Sequence, residues 1–260
     1  MAEHGYIGFD NLFTATGVTV SVTSEVVGFE GVNAIDWKQY DWWKQSGVGW
    51  DTLSASFTGA QAADYLCIYG HNLFSIGSTT YKVQHSTDAG ATWIETTGGI
   101  LNPTDDNVIF VQWTSVSAAD WRLVIDSTGA SSATIIAGVM IGAITNLNRD
   151  VTSGFSPPNL SPVVETKTAM SEQGVNLGAS VIRTGLKGNL RLSNVTDTWV
   201  RAEWKPIIDH LNLGKPVVFA WDATNHSGDA ILIWKSSKIP VPSYTSQSLM
   251  SVSLPFEGIE

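Results

Sequence analysis

The chain has 260 residues, enough for one large domain or two ordinary ones, and its 43% apolar content can build a sizeable core. Only 15% of residues are charged, against about 25% in ordinary soluble domains, and a net charge of −10 argues against a nucleic-acid partner. The single cysteine, Cys67, excludes an intrachain disulfide and reads, within "YLCIY", as a buried free thiol.

The charge is uneven. Residues 1–150 carry fifteen acidic and five basic side chains, and residues 151–260 carry nine of each. A neutral second half suits packing into an assembly, and the asymmetry supports two domains. The opening "MAEHGYIGFD" has no basic n-region or apolar h-region, so no secretory signal is expected. Synthesis in a cytoplasm follows as an expectation. The longest apolar stretch, "ATIIAGVMIGAI" at 133–144, is too short to span a bilayer.

Helical periodicity is nearly absent from the first half. Residues 18–29, "VTVSVTSEVVGF", alternate as a strand should, and so do 51–59, "DTLSASFTG". Residues 64–73, 79–87, 108–113, 120–126 and 133–143 read as further strands. Short strands at regular spacing predict a sandwich or jelly roll. The span "TNLNRDVTSGFSPPNLSP" at 145–162 is rich in Pro, Gly, Asn and Ser, and reads as a connector. Strands resume with "VVETKTAM", "VNLGASVIRTGLKGNLRLSNV", "KPVVFAWD", "AILIWKS" and "SLMSVSLPFEG". Among them, 196–214 is the one convincing helix. Thr196 or Asp197 can cap it, Trp199, Ile207, Ile208 and Leu211 give an apolar stripe, and Gly214 stops it. Pro206 should kink it or break it in two.

No motif for catalysis, phosphate binding or a metal pair is present. "HSTD" at 85–88 places three polar residues on one strand, where neighbours face opposite ways, so they make no triad. Asp36 and Asp41 are too weak a pair for glycoside hydrolysis. No enzyme, cofactor or metal is expected. "DATNHSGD" at 222–229 and "NPTDDN" at 102–107 have oxygen ligands, but both read more simply as turns. "YGHNLFSIG" at 69–77 breaks a strand at Gly70. Its His71 and Asn72 are either a satisfied turn or polar groups at a sandwich rim.

A family likeness rests on "ADYLCIYGHNLFSIGSTTYKVQHSTDAGATW" at 63–93 and "ADWRLVIDSTGASSATIIAGVMIGA" at 119–143. These resemble a discoidin-type β-sandwich, and more closely the versions in phage and prophage tail proteins. "GFSPPNL", "SEQGVNLGASVIRTG" and "WVRAEWKPIIDHLNLGKPVVFAWD" resemble the second half of siphophage tail-tip and baseplate proteins. The resemblance implies an all-β chain of two β-sandwich domains. A discoidin-like jelly roll would occupy 1–145, a connector 146–162, and a smaller tail-type β domain with one helix 163–260.

It implies a structural virion protein of a long non-contractile tail, assembled in the host cytoplasm, in the distal tail or baseplate around the tail axis. Its partners would be the tail tube, the hub and neighbouring copies, in a homo-oligomer of three- or six-fold symmetry. Membrane insertion is not expected. Trp199, Trp204 and His210 are the expected assembly interface. The alternative function is a carbohydrate-binding module touching host glycans through aromatic faces.

The stretch "NAIDWKQYDWWKQSGVGW" at 33–50 gathers four tryptophans. Trp37 is expected in the barrel mouth, sharing strand parity with Ile35, and Trp50 at the start of a strand. Trp42 and Trp43 must face opposite ways. One should plug the core, and the other should meet solvent or a partner. Trp42, Trp43, His71 and Asn72 are therefore the expected surface, glycan or partner contacts.

Overall fold

A computed structural model describes residues 5–96, 99–149, 151, 155–160 and 162–259. The first-half strands are β1 (Tyr6–Gly8), β2 (Thr19–Val22), β3 (Trp43–Lys44), β4 (Trp50–His71), β5 (Thr80–Ser86), β6 (Ile94–Glu95), β7 (Ile109–Asp126), β8 (Ile135–Gly142) and β9 (Ile144–Asn146). The second half contributes β10 (Val163–Met170), β11 (Asn176–Thr196), β12 (Val217–Ala220), β13 (Ile231–Lys235), β14 (Ser243–Tyr244) and β15 (Leu249–Ile259). Among the described residues the chain is an all-β protein of two sheets, with one α/π-helical run and a few short 3-10 turns.

The first sheet runs β3-β8-β4-β7-β5-β6, with β2 also on β4, and its pairings among the described residues are antiparallel. The two long strands carry it around the core. Before its irregularity at Ser56/Gln61, β4 lies beside β2 and the end of β7; after it, β4 lies between β8 and the start of β7. Bulges bend and twist a strand. One ribbon thereby serves both faces of a sandwich. Two pairs of expected strands, 51–59 with 64–73 and 108–113 with 120–126, are each one continuous bent strand.

The second sheet runs β10-β11-β15-β13-β12-β1-β9, with β14 on β15. Its β1 and β9 come from the stretch that the sequence assigns to the first unit; β1 lies between β12 and β9, through Tyr6↔Ala220 on one side and Tyr6↔Asn146 on the other. One face of this sheet carries the helix over Leu190, Leu192, Val252, Leu254 and Phe256. The other packs on the sandwich through Tyr65, Cys67, Tyr69, Val218, Ala220 and Leu232. Strands covered on both faces are written as unbroken apolar runs. That is why "VVFA" and "ILI" do not alternate: each of these residues is buried.

The helical run covers 197–212. Thr196 caps it, its hydroxyl accepting from Trp199 N at 3.3 Å. Gly214, at φ +79°, ends it. Pro206 neither breaks it nor splits it. Instead, Val200–Trp204 widen into a π-turn, with Lys205 N–H donating to Val200 O. Proline lacks an N–H and crowds the carbonyl four residues back, and the wider turn absorbs that defect.

Residues 31–35 form a 3-10 turn, so Ile35 and Trp37 do not share strand parity. Trp37, at φ +68°, is not in a barrel mouth. Its ring meets the His210 ring edge-on at 4.9 Å and lies 5.6 Å from Lys215 Nζ. It ties the sandwich to the helix.

Burial, with a smaller contribution from Lys215, pushes the His210 pKa down to about 4. The unfolded ring titrates near 6.5, so between these values the unfolded chain binds the extra proton. The stabilisation is therefore complete above about pH 6.5 and is lost as pH falls toward 4. His71, also lowered by burial, adds with the same sign. Urea unfolding at pH 7 and pH 4.5 should show a loss on the order of 2 kcal/mol, after allowance for screening of a partly exposed ring. His210→Gln should flatten that slope, and an unchanged slope would remove His210 from the account.

Candidate functional site

Strand alternation sends Leu53, Ala55, Leu123 and Ile125 into the sandwich core. Their neighbours Trp50, Arg122 and Gln84 point outward, paired across strands as Trp50↔Asp126 and Gln84↔Arg122. The Arg122 guanidinium lies 3.9 Å from the Trp93 ring and 5.5 Å from the Trp50 ring. Its Nε donates to Gln84 Oε1 at 2.8 Å. The Trp50 side chain and backbone are 50% exposed. Beside it, Lys82, Val124 and Asp126 line a hollow of 60 Å³.

The turn that brings in Trp93 is rigid. Ser86 Oγ donates to Asp88 Oδ1 at 2.6 Å, and Thr92 N donates to the same oxygen at 2.8 Å. These donors hold the Asp88 carboxyl down to about 2. Ala89 and Gly90 take positive φ, +56° and +80°. Lys82 pairs with Glu95 at 2.5 Å. The result is an exposed aromatic face beside fixed amide, guanidinium and carboxylate groups. Aromatic faces attract cations and the C–H faces of sugars, and such a platform can bind. No nucleophile with a base partner lies in it. Trp93 and Arg122 both lie in the stretches that carry the family likeness, yet nothing local gives either a role. Strand register alone brings Arg122 to Gln84.

A larger cleft of 690 Å³ lies along the free edge of β7, between 101–114 and 223–228. Its aromatic walls are committed elsewhere. Phe110 is buried, and Trp113 Nε1 donates to Ala63 O at 3.0 Å.

The residues singled out from sequence take other places. His71 is buried, with Nε2 at 2.7 Å from Asn107 O and Nδ1 accepting from Leu73 N. Asn72 accepts from Ile135 N at 2.8 Å and donates to Ala133 O. Asn72 ties the turn to the start of β8, and His71 ties it to the loop at Asn107. Gly70 lies close against β8: φ is +59°, and a Cβ there would lie 2.7 Å from Ala137 Cβ. Trp43 is 1% exposed, and Trp42 is half-buried and stacked on Phe29.

Trp199 and Trp204 are buried beneath the helix, and His210 sits between Phe9 and Trp37. In "HSTD", His85 faces the core beside Trp121, away from the Ser86–Asp88 pair. Asp222 takes Asn225 as a turn partner, and Asp106 accepts from Phe74 N and Ser75 N. Among the described residues, no group of three His, Cys, Asp or Glu side chains could hold a metal. No helix among the described residues is long and apolar enough to cross a membrane.

No protein-family model matches the chain, and no curated protein matches it. Solved structures resemble about half of it. A Ruminococcus gnavus GH29 fucosidase in complex with fucose aligns with TM-score 0.46 and 16% identity, over 53% of this chain and 28% of that one. Chitosan-binding module 1 of the Paenibacillus sp. IK-5 chitosanase/glucanase aligns with TM-score 0.42 and 18% identity, over 51% of this chain and 98% of that one. The Clostridium perfringens module CpGH89CBM32-5, in complex with GalNAc-β-1,3-galactose, gives 0.39 and 21%, over 48% and 95%. The chain thus spans less than a third of the fucosidase and about the full length of the two binding modules.

Proposed function

We propose that the chain is a non-catalytic carbohydrate-binding protein, with the Trp50–Arg122–Trp93 platform as its sugar contact. The observation that carries this reading is the open Trp50 face beside the Arg122 guanidinium. A pyranose would stack on Trp50, and its hydroxyls would meet Asp126, Lys82 and Gln84. A glycan array probed with the full chain tests it, followed by calorimetry on Trp50→Ala. Because Trp50 is half exposed, its removal should leave the melting temperature nearly unchanged while weakening binding about tenfold or more. Silence across the array, or an undiminished Trp50→Ala variant, ends the proposal.

A second reading has its own observation in the β10–β11 hairpin, every residue of whose first strand is exposed. In that reading the chain is a structural part of a phage tail tip or baseplate. It docks on tail tube, hub and neighbouring copies with three- or six-fold symmetry, and 1–145 faces outward from 163–260. The two readings are compatible in a tail that touches host glycans. Negative-stain images of the purified chain test the second: rings or three- or six-fold particles support it, and single monomers oppose it.

A further inference from the structure

The strands β10 and β11 leave the second sheet together as an arm. β11 pairs with β15 from Leu186↔Gly258 to Thr196↔Leu249, and only its earlier residues pair with β10. Register makes this arm two-faced. Val163 pairs with Gly185 and Val164 with position 184, so Val164 has the parity of Leu186, which is buried under the helix. Through the irregularity at Glu165/Thr166, the same side continues as Thr166↔Val181, Thr168↔Ala179 and Met170. The other side carries Glu165, Lys167 and Ser180. The apolar side is bare: Val164 is 49% exposed, Met170 62% and Val181 62%. A two-stranded ribbon is marginal alone in water, and an exposed apolar edge recruits a partner.

A matching surface lies at the opposite end of the same sheet. A groove of 350 Å³ is lined by Val200, Trp204, Ile208, Pro240, Val241 and Met250. It is almost wholly apolar, and Val241 is exposed. Trp204 also carries a buried indole N–H that meets no acceptor. Arg201 and Lys205 stand at the rim, each paired within the helix, with Asp197 and Asp209, so the contact on offer is apolar. The arm begins at the Gly258 end of β15 and the groove lies at its Met250 end. Eight strand residues, roughly 26 Å, separate them, and the arm runs on along β11 away from the groove. A chain cannot fill its own groove.

We propose that the arm of one copy lays its Val164–Val181–Met170 face into the groove of the next copy, joining copies head to tail. Such a contact is heterologous, so it closes a ring or propagates a filament, according to the rotation between copies. It stands whether or not Trp50 binds sugar, and it gives the assembly reading a specific joint.

Single-cysteine trapping tests it, since Cys67 is buried and burial pushes its thiol pKa up, leaving it inert. The full chain should associate in sedimentation velocity. Val181→Asp should sediment as a monomer with an unchanged melting temperature, while Lys167→Ser, on the other face, should associate as the parent does. A mixture of Val181→Cys and Val241→Cys chains should form a disulfide between position 181 of one copy and 241 of another under mild oxidation. A parent chain monomeric at every concentration overturns the proposal. So does a 181–181 link in place of 181–241. An oligomer that forms without the 181–241 link overturns this joint and leaves assembly itself standing.

Discussion

Trp43→Ala should cost about 3–5 kcal/mol of unfolding free energy, the range for emptying a large aromatic from a core, while Trp42→Ala should cost about 1–2 kcal/mol. Trp43 is 1% exposed and belongs to the sandwich core. Its Nε1 donates to Ser24 O at 2.9 Å, so truncation also strands a carbonyl. It lies on β3 opposite Ile136, the pairing that attaches this short strand to β8. Trp42 has less to lose inside the sandwich. It stacks on Phe29 with ring centroids 5.9 Å apart and packs against the core between the two sheets. Urea denaturation of both variants measures the contrast. Equal losses would mean that the adjacent rings share one environment, against the alternation that separates them.

That the two rings face opposite ways was legible in the sequence, because adjacent residues in extended backbone must part company; that Trp42 packs on Phe29 and the core between the sheets was not. Periodicity reads such local geometry well. It also read β5, β8, β12, β13 and β15, and the helix with its Thr196 cap and Gly214 stop. Partnership between distant strands was not legible. Nothing in "GYIGFD" tells that Tyr6 pairs with Ala220, because a three-residue strand carries no period of its own. The bend of β4 lies at "FTGAQ", where Gly59 looks like the end of a strand; the pairing with β7 resumes at Gln61.

The platform was hidden for the same reason. Trp50 sat in view among four tryptophans, while its partners Arg122 and Trp93 lie in strands and turns far along the chain. His71 and Asn72 were open to two readings, a satisfied turn or rim contacts, and their hydrogen bonds match the first. A polar residue in a turn looks free in sequence, and here Asn107, Ile135 and Ala133 occupy its hydrogen bonds.

Strand glycines set the sharpest steric constraint. Gly138 of β8 pairs with Tyr69 of β4, and a Cβ at 138 would lie 1.8 Å from Tyr69 Cζ. Gly188 of β11 pairs with Phe256 of β15, where the corresponding distance is 2.4 Å. In both sheets an aromatic ring lies across the glycine of the neighbouring strand, filling the space a side chain would take. Gly138→Ala should therefore destabilise by about 3 kcal/mol, the upper range of overpacking. Tyr69 is 1% exposed and has no open side to move toward.

Gly188→Ala should cost less, about 1–2 kcal/mol, because the added Cβ would lie farther from the ring, 2.4 Å from Phe256 Cζ against 1.8 Å from Tyr69 Cζ. The mechanism is tested by the double variant Gly138→Ala/Tyr69→Val. Removing the ring removes the clash, so the double variant should be more stable than the sum of the single losses, with about 2 kcal/mol of favourable coupling. Strict additivity would show that glycine is needed for its backbone and not for the ring above it. Tyr69 also lies in the core that joins the sandwich to the second sheet, with Val218 and Leu232. Gly138→Ala should accordingly loosen that junction, and protease cleavage between the two halves should rise before the sandwich itself is cut.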